Sequence, residues 1–405
     1  MSNANYLKLP EKVKFCKNCV ISNQRPSSVI EFKNTESGKK PTIDFNNDGI
    51  CSACEYQNIK SKEIDWDKRE KELQKLCDSY RGNGTEYDCI IPGSGGKDSA
   101  FTAHILKYKY GLNPLTVTWA PHKYTDIGWK NFENWIHKGG FDNILFTPNG
   151  KLHSHLTKLA FTNLFHPFQP FIVGQKLIGP KLAKKFGIKL IFYGENQAEY
   201  GNKIKDNFNN KFDNKFYSIK NFQDIVLGGE KISNIIKNTN FKISEFQPYL
   251  PLTQEEIAKD DIDYQYLGYY LKWDPQECYY YASEHTGFEA NSERTQGSYS
   301  KYSSIDDKID YFHYFTTYIK FGLGRASYDA AQEIRNGKIT RDEGIQLVKK
   351  FDKEFPGNFF NDFLEYINLS ESNFFDTVEK FRSTHLWKKD KDKWELRNRI
   401  WDQQN

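Results

Sequence analysis

The chain of 405 residues balances 57 Lys and Arg against 53 Asp and Glu, a formal charge of +4, too even to announce the one-sided cationic surface of a nucleic-acid backbone binder, so nucleic acid is not the default partner. Hydrophobic residues make up 38% and aromatics 16%, enough to bury a core of ordinary density in one large or two medium domains. No apolar run approaches the roughly 20 residues of a membrane-spanning helix, and Met1-Ser-Asn-Ala-Asn5 lacks the apolar stretch of a signal peptide. A cytosolic protein is expected.

Residues 1–60 are polar, without helical or strand period, and hold four of the seven cysteines. Cys16-Lys-Asn-Cys19 and Cys51-Ser-Ala-Cys54 form a paired C-x₂-C with 31 residues between the halves. The two-residue spacing aims both thiolates of a pair at one ion, and four thiolates match tetrahedral Zn²⁺ in a closed, structural site. A disulfide or redox pair and an iron–sulfur centre are the alternatives. Cys77, Cys89 and Cys278 read as buried thiols, with a lone nucleophile the other role open to Cys278.

From Glu63 to Tyr80 the charged run with apolar positions at 66, 73, 76, 77 and 80 predicts an amphipathic helix stopped by Gly82 and Gly84. Residues 61–200 then alternate short apolar runs with helical stretches. Strands are expected at 87–91, 115–119, 143–147 and 188–193, and helices at 97–109, 127–138 and 175–186, closed by Gly111, Gly139-Gly140 and Gly187. Such alternation with short connections implies an α/β fold, a parallel sheet covered on both faces.

The first of these strands runs into Pro92-Gly93-Ser94-Gly95-Gly96-Lys97-Asp98-Ser99, and a helix follows at once. The glycines let backbone N–H groups turn inward without a Cβ in the way, and the helix N-terminus adds about half a positive charge. Lys97 is placed to neutralise phosphate oxygens, Ser94 and Ser99 to donate to them, and Asp98 to hold a bridging Mg²⁺. Counting back from Gly96-Lys97, a Walker A loop needs glycine where Ile91 stands. A dinucleotide fingerprint begun at Gly93 needs glycine where Asp98 stands. Both are excluded.

Ligands of open α/β sheets bind beyond the carboxyl ends of the strands. Those ends hold Thr118-Trp119-Ala-Pro-His122 and Gly194-Glu195-Asn196. Glu195 is a candidate metal ligand or proton carrier and Asn196 a candidate for orienting substrate, each with a solvated loop residue as the alternative.

Residues 201–325 are rich in Asn, Lys, Tyr and Phe, without a strong strand period. The tyrosines between 264 and 281 either stack on a ligand or form aromatic core. Residues 326–405 read as all-helical: Asp329 to Gly337 ends on a C-cap glycine, and Thr340-Arg-Asp-Glu343 has the form of a capping box.

The loop resembles the S-G-G-x-D-S signature of PP-loop ATP pyrophosphatases, which split ATP between the α and β phosphates. That resemblance implies a Rossmann-like parallel sheet of the adenine nucleotide alpha hydrolase-like type, with adenine near Thr118 and Trp119. Together with the cysteine knuckles, Thr118 to His122, Tyr193-Gly-Glu-Asn196 and Lys320-Phe-Gly-Leu-Gly-Arg325, nearly the whole chain resembles the bacterial N-acetyl sugar amidotransferases of surface-glycan and nonulosonate pathways. Proteins named for pseudaminic acid biosynthesis are among them. The resemblance implies conversion of a sugar acetamido group to an acetamidino group with ATP, Mg²⁺ and Zn²⁺. It also implies ammonia from a separate glutaminase with a channel subunit like those of histidine biosynthesis, since Met1-Ser2 offers no N-terminal nucleophilic Cys. His122, Asn196 and Arg325 are then candidates for binding substrate, with helix capping the alternative for Arg325; Lys97, Asp98 and Glu195 are candidates for catalysis. A tRNA-thiolating PP-loop enzyme is the competing reading, disfavoured by the even charge and by the single cysteine beyond Cys89.

Overall fold

The computed structural model describes residues 5–35, 39–82, 86–202, 209–391 and 393–403. Five strands, β1 (Cys89–Pro92), β2 (Pro114–Trp119), β3 (Asp142–Phe146), β4 (Leu190–Tyr193) and β5 (Asp263–Tyr266), form one sheet in the order β3-β2-β1-β4-β5 with every neighbouring pair parallel. β1 and β2 are buried along their whole length, which explains their unbroken apolar sequence: helices cover both faces. The chain winds outward from β1 through β2 to β3, then crosses to β4 and β5, so the topological switch lies at β1, where a crevice opens beyond the strand ends.

The expected α/β alternation is present, with bounds shifted by a few residues. α1 (Ser52–Lys62) was not legible in the sequence. It precedes α2 (Trp66–Tyr80), whose N-cap Asp65 accepts from the Lys68 N–H. Leu73 and Cys77 are the buried face of α2; Gly84 lies outside the described residues. α3 (Lys97–Tyr108) and α4 (Asp126–His137) flank β2 as expected. α5 (Gly150–Leu164) is an addition, and α6 (Gln169–Phe186) starts earlier than its period suggested, because Pro170 suits a first helical turn. Gly187, at φ 69°, closes it.

Three features depart from the sequence-based organisation. β5 comes from the 201–325 region, so the sheet extends past residue 200. Its sequence Asp-Tyr-Gln-Tyr shows no apolar run, because only neighbouring structure buries it. The all-helical reading of 326–405 fails at an antiparallel hairpin, Trp387–Asp390 with Lys393–Leu396, although the capping box at Thr340 and Glu343 is formed. The cysteine segment is also not a separate unit: Cys16, Cys19, Cys51 and Cys54 share a core with Ala330, Ala331 and Val348. Among the described residues no helix is long and apolar enough to cross a membrane.

Candidate active site and metal centre

The glycine-rich loop leaves β1 and reaches α3 at the floor of a cavity of about 570 Å³. Gly95 has φ +84°, and a Cβ there would lie 2.9 Å from the Phe132 Cα, so glycine is required at this turn. Gly93 is held as closely, since its Cβ would meet the Ser99 Cβ at 2.3 Å. Gly96 differs: its φ of −65° suits any residue, and the nearest atom to a Cβ is the Ser94 Oγ at 3.8 Å. The space beside Gly96 is open cavity.

Lys97 and Asp98 begin α3, where the helix dipole favours an anion. Lys97 Nζ donates to Asp98 Oδ2 at 2.5 Å, and the Trp273 indole N–H donates to Asp98 Oδ1 at 3.1 Å. Burial opposes the charge on Lys97, but the carboxylates of Asp98 and Glu195 outweigh it and hold its pKa above the ordinary lysine value. Ser94 Oγ donates to Asp306 Oδ2 at 2.9 Å, whereas Ser99 Oγ turns back and donates to the Gly96 carbonyl at 3.0 Å. Each oxygen of Asp98 carries one donor and keeps lone-pair capacity, so this carboxylate suits a Mg²⁺ beside bound phosphates.

Glu195 follows β4 and accepts from the Tyr200 hydroxyl at 2.8 Å. Burial, and then the neighbouring charge of Asp98, push its pKa up to about 7. Glu195 does not itself line the cavity, whereas Tyr200 does. The side chain of Asn196 caps the turn Gln197–Tyr200 by accepting from the Ala198 N–H at 3.0 Å, and is fully buried.

The opposite wall comes from distant sequence. Asp306 and Asp310 face the loop, and burial raises both their pKa values, that of Asp310 to about 7. Arg325 opens the helix Arg325–Arg335, lies 3.0 Å from Asp329 Oδ1 and sits 4.5 Å over the Tyr314 ring. It is therefore both a helix-start residue and a cavity-lining cation. Farther along the wall Glu31 and His166 approach to 3.6 Å.

Thr118, Trp119 and His122 do not line this cavity. Thr118 Oγ1 accepts from Asn143 on β3 at 3.0 Å. Trp119 fills the sheet–helix core, where a Cβ on Gly174 would lie 2.2 Å from its ring. His122 is buried among His153, Phe168 and Phe171 and binds Asp307 through Nδ1 at 2.7 Å, anchoring the segment that carries Asp306. Side chains at a strand end alternate between the two faces, and residue counting from the loop does not tell which face is open. The tyrosines of 264–281 are mostly packing: Tyr264, Tyr266 and Tyr270 are core residues, and Tyr281 binds His104 at 2.8 Å. Trp273, at the cavity, is the exception. Its one sequence cue is the following Asp274-Pro275, a cap and first turn that fix the start of the helix Pro275–Thr286.

The four knuckle sulfurs converge within 4.8 Å of one another, all buried, with Cys16 and Cys54 at 3.9 Å and Cys19 and Cys51 at 3.7 Å. A tetrahedral zinc with bonds near 2.3 Å needs sulfur separations of roughly 3.8 Å. The residues fit one closed zinc site. Cys77, Cys89 and Cys278 are free, buried thiols.

Residues 296–400 match the family described as "LPS biosynthesis protein WbpG-like, C-terminal domain". Over 81 residues the chain is 33% identical to "Uncharacterized protein MJ1599" of Methanocaldococcus jannaschii, an alignment that covers 20% of this chain and 28% of that protein. The chain thus spans less than a third of that relative's length. The NMN synthetase of Francisella tularensis aligns with 49% of this chain and 94% of its own, at 14% identity and a TM-score of 0.27. The segment 296–400, which matches that family model, supplies Asp306, Asp310 and Arg325 to the wall facing the loop.

Proposed function

We propose that this chain is an ATP-dependent amidotransferase of bacterial surface-glycan or nonulosonate biosynthesis. It adenylates the acetamido oxygen of an N-acetyl sugar and replaces that oxygen with ammonia, releasing AMP and pyrophosphate and leaving an acetamidino sugar. One observation carries the reading: the anion-accepting loop at 93–99 and the WbpG-like segment are the two walls of a single cavity, joined directly by the Ser94–Asp306 hydrogen bond. A candidate phosphate loop and a segment that matches a glycan-biosynthesis family model thereby line one space, which supports the reading.

In this reading the backbone N–H groups of 93–96 and Lys97 hold the β and γ phosphates, and Asp98 would hold a Mg²⁺, which would supply charge to offset that of the pyrophosphate. An amide oxygen is a poor leaving group, so adenylation followed by attack divides one hard step into two. Arg325 is the cation offered to an anionic group of the sugar substrate. The knuckle zinc has a structural role. Ammonia arrives from a separate glutaminase and its channel subunit.

The test is nucleotide product analysis with purified protein, ATP, Mg²⁺, ammonium and a panel of UDP- and CMP-linked acetamido sugars. Sugar-dependent AMP supports the proposal, whereas ADP as the only product, or AMP that depends on tRNA, overturns it. The thiolating alternative is disfavoured because the one cysteine beyond Cys89, Cys278, is buried and does not line the cavity.

A further inference from the structure

Ammonia attack creates a proton that must leave. Attack of the nitrogen lone pair on the activated carbon forms a C–N bond and leaves a positive charge on nitrogen; expulsion of AMP to give an amidine then requires one N–H bond to break. Glu195 is a carboxylate near the loop with a raised proton affinity, as are Asp306 and Asp310, but unlike them it does not line the cavity. The group between Glu195 and the cavity is Tyr200, which lines the cavity and whose hydroxyl donates to Glu195 Oε1 at 2.8 Å. With its proton committed to Glu195, the phenol oxygen offers its remaining lone-pair capacity as an acceptor.

The turn carrying Tyr200 is held from several sides. Asn196 caps it, Gly201 closes it at φ +77°, and Ser52 of the cysteine segment donates to the Gly201 carbonyl at 2.9 Å. Glu199 is buried in an ion pair with Lys60 at 2.7 Å, and Arg335 donates to the Glu199 carbonyl at 3.0 Å. Such a fixed mount suits a group that must meet a reacting atom within hydrogen-bond reach.

We infer that Tyr200 is a further catalytic residue, the relay through which the nitrogen of the ammonia adduct passes its proton to Glu195. The inference rests on the amidotransferase reading and deepens it. In the step, one N–H bond of the adduct breaks and an O–H bond forms on Tyr200 as the original Tyr200 proton moves to Glu195. The freed nitrogen pair forms the C=N bond, and the C–O bond breaks with its electron pair leaving on the AMP oxygen. Glu195 later returns the proton to solvent. No oxidant or further co-reactant is needed.

The experiment compares the full-length, zinc-loaded wild type with Tyr200→Phe, Glu195→Gln and the double variant, using the same sugar panel and ammonium chloride. Two rates are measured: sugar-dependent exchange of labelled pyrophosphate into ATP, which reads adenylation, and acetamidino-sugar formation by mass spectrometry. The ratio of amidine formed to exchange should fall by about 10²-fold or more in each single variant, the usual contribution of a proton-transfer group, and no further in the double variant. Melting temperature and zinc content report the fold, and Glu195→Gln carries the same expectation should Tyr200→Phe prove unstable. An unchanged ratio in both single variants, or additive losses in the double variant, overturns the relay. Absence of sugar-dependent exchange in the wild type overturns the amidotransferase reading itself.

Discussion

The indole N–H of Trp273 donates to Asp98 Oδ1 at 3.1 Å across 175 positions of sequence, so the carboxylate in the first turn of α3 is oriented by a residue that follows the edge strand β5. Lys97 takes the other oxygen. The pair fixes the plane of a carboxylate suited to Mg²⁺.

Trp273→Phe should therefore weaken sugar-dependent AMP formation while leaving the fold intact, since an aromatic ring remains beside Lys60, whose Nζ sits 5.9 Å from the Trp273 ring. A hydrogen bond to a charged group contributes about 1.5–3 kcal/mol, which predicts a 10- to 100-fold lower kcat/KM. Steady-state AMP release over a Mg²⁺ series checks it, with a higher Mg²⁺ requirement as the signature of a misoriented Asp98.

The two central glycines should respond differently. Gly95→Ala forces a Cβ to 2.9 Å from the Phe132 backbone at φ +84°, so both stability and nucleotide binding should be lost. Gly96→Ala meets no atom nearer than 3.8 Å, so its stability should lie within about 1 kcal/mol of wild type, the range for such an N-cap change. Its Cβ enters the open space beside the loop, however, and ATP affinity should drop. Thermal melts paired with isothermal titration of Mg²⁺ and ATP separate the two effects.

Glu195 predicts a pH dependence with a definite sign. Its folded pKa, about 7, lies above the ordinary carboxyl value of 4.5. Between those values the unfolded chain loses a proton that the folded protein keeps, so stability falls as pH rises and levels off above about 7. Glu195→Gln removes that loss. Its melting temperature relative to wild type should climb between pH 4.5 and 7 and stay constant above; a difference that shrinks over this window refutes the assignment.

The zinc site should be structural for the whole molecule. Cys51→Ser opens a cluster whose core is shared with Ala330, Ala331 and Val348, so the C-terminal helices should lose protection along with the N-terminal segment. Metal-coupled folding at such sites is worth on the order of 10–16 kcal/mol. Metal analysis should find one zinc per wild-type chain, and chelation should expose both regions to limited proteolysis together.

Much of this site follows from local rules. The strand, glycine turn and helix around Gly93 to Ser99 were legible because backbone conformation there depends on residues a few positions apart. The four cysteines were legible because spacing within each pair aims two thiolates at one ion. Trp119 and His122 show where such reasoning stops. Trp119 ends β2 and His122 follows it as expected, but one packs against Gly174 and the other against Asp307, because side-chain direction at a strand end is set by what packs over it.

By itself, then, the amino-acid order determined the glycine-rich turn between β1 and α3, the cysteine knuckle and the α/β alternation, all products of periodicity and short-range spacing. Tertiary structure alone decided that β5 completes the sheet from beyond residue 260, that Asp306 reaches Ser94 over 212 positions, and that Tyr200 rather than Glu195 meets the cavity. Those contacts join segments whose sequences carry no mark of one another. They form because burying the intervening apolar surface leaves only certain polar groups facing the remaining space.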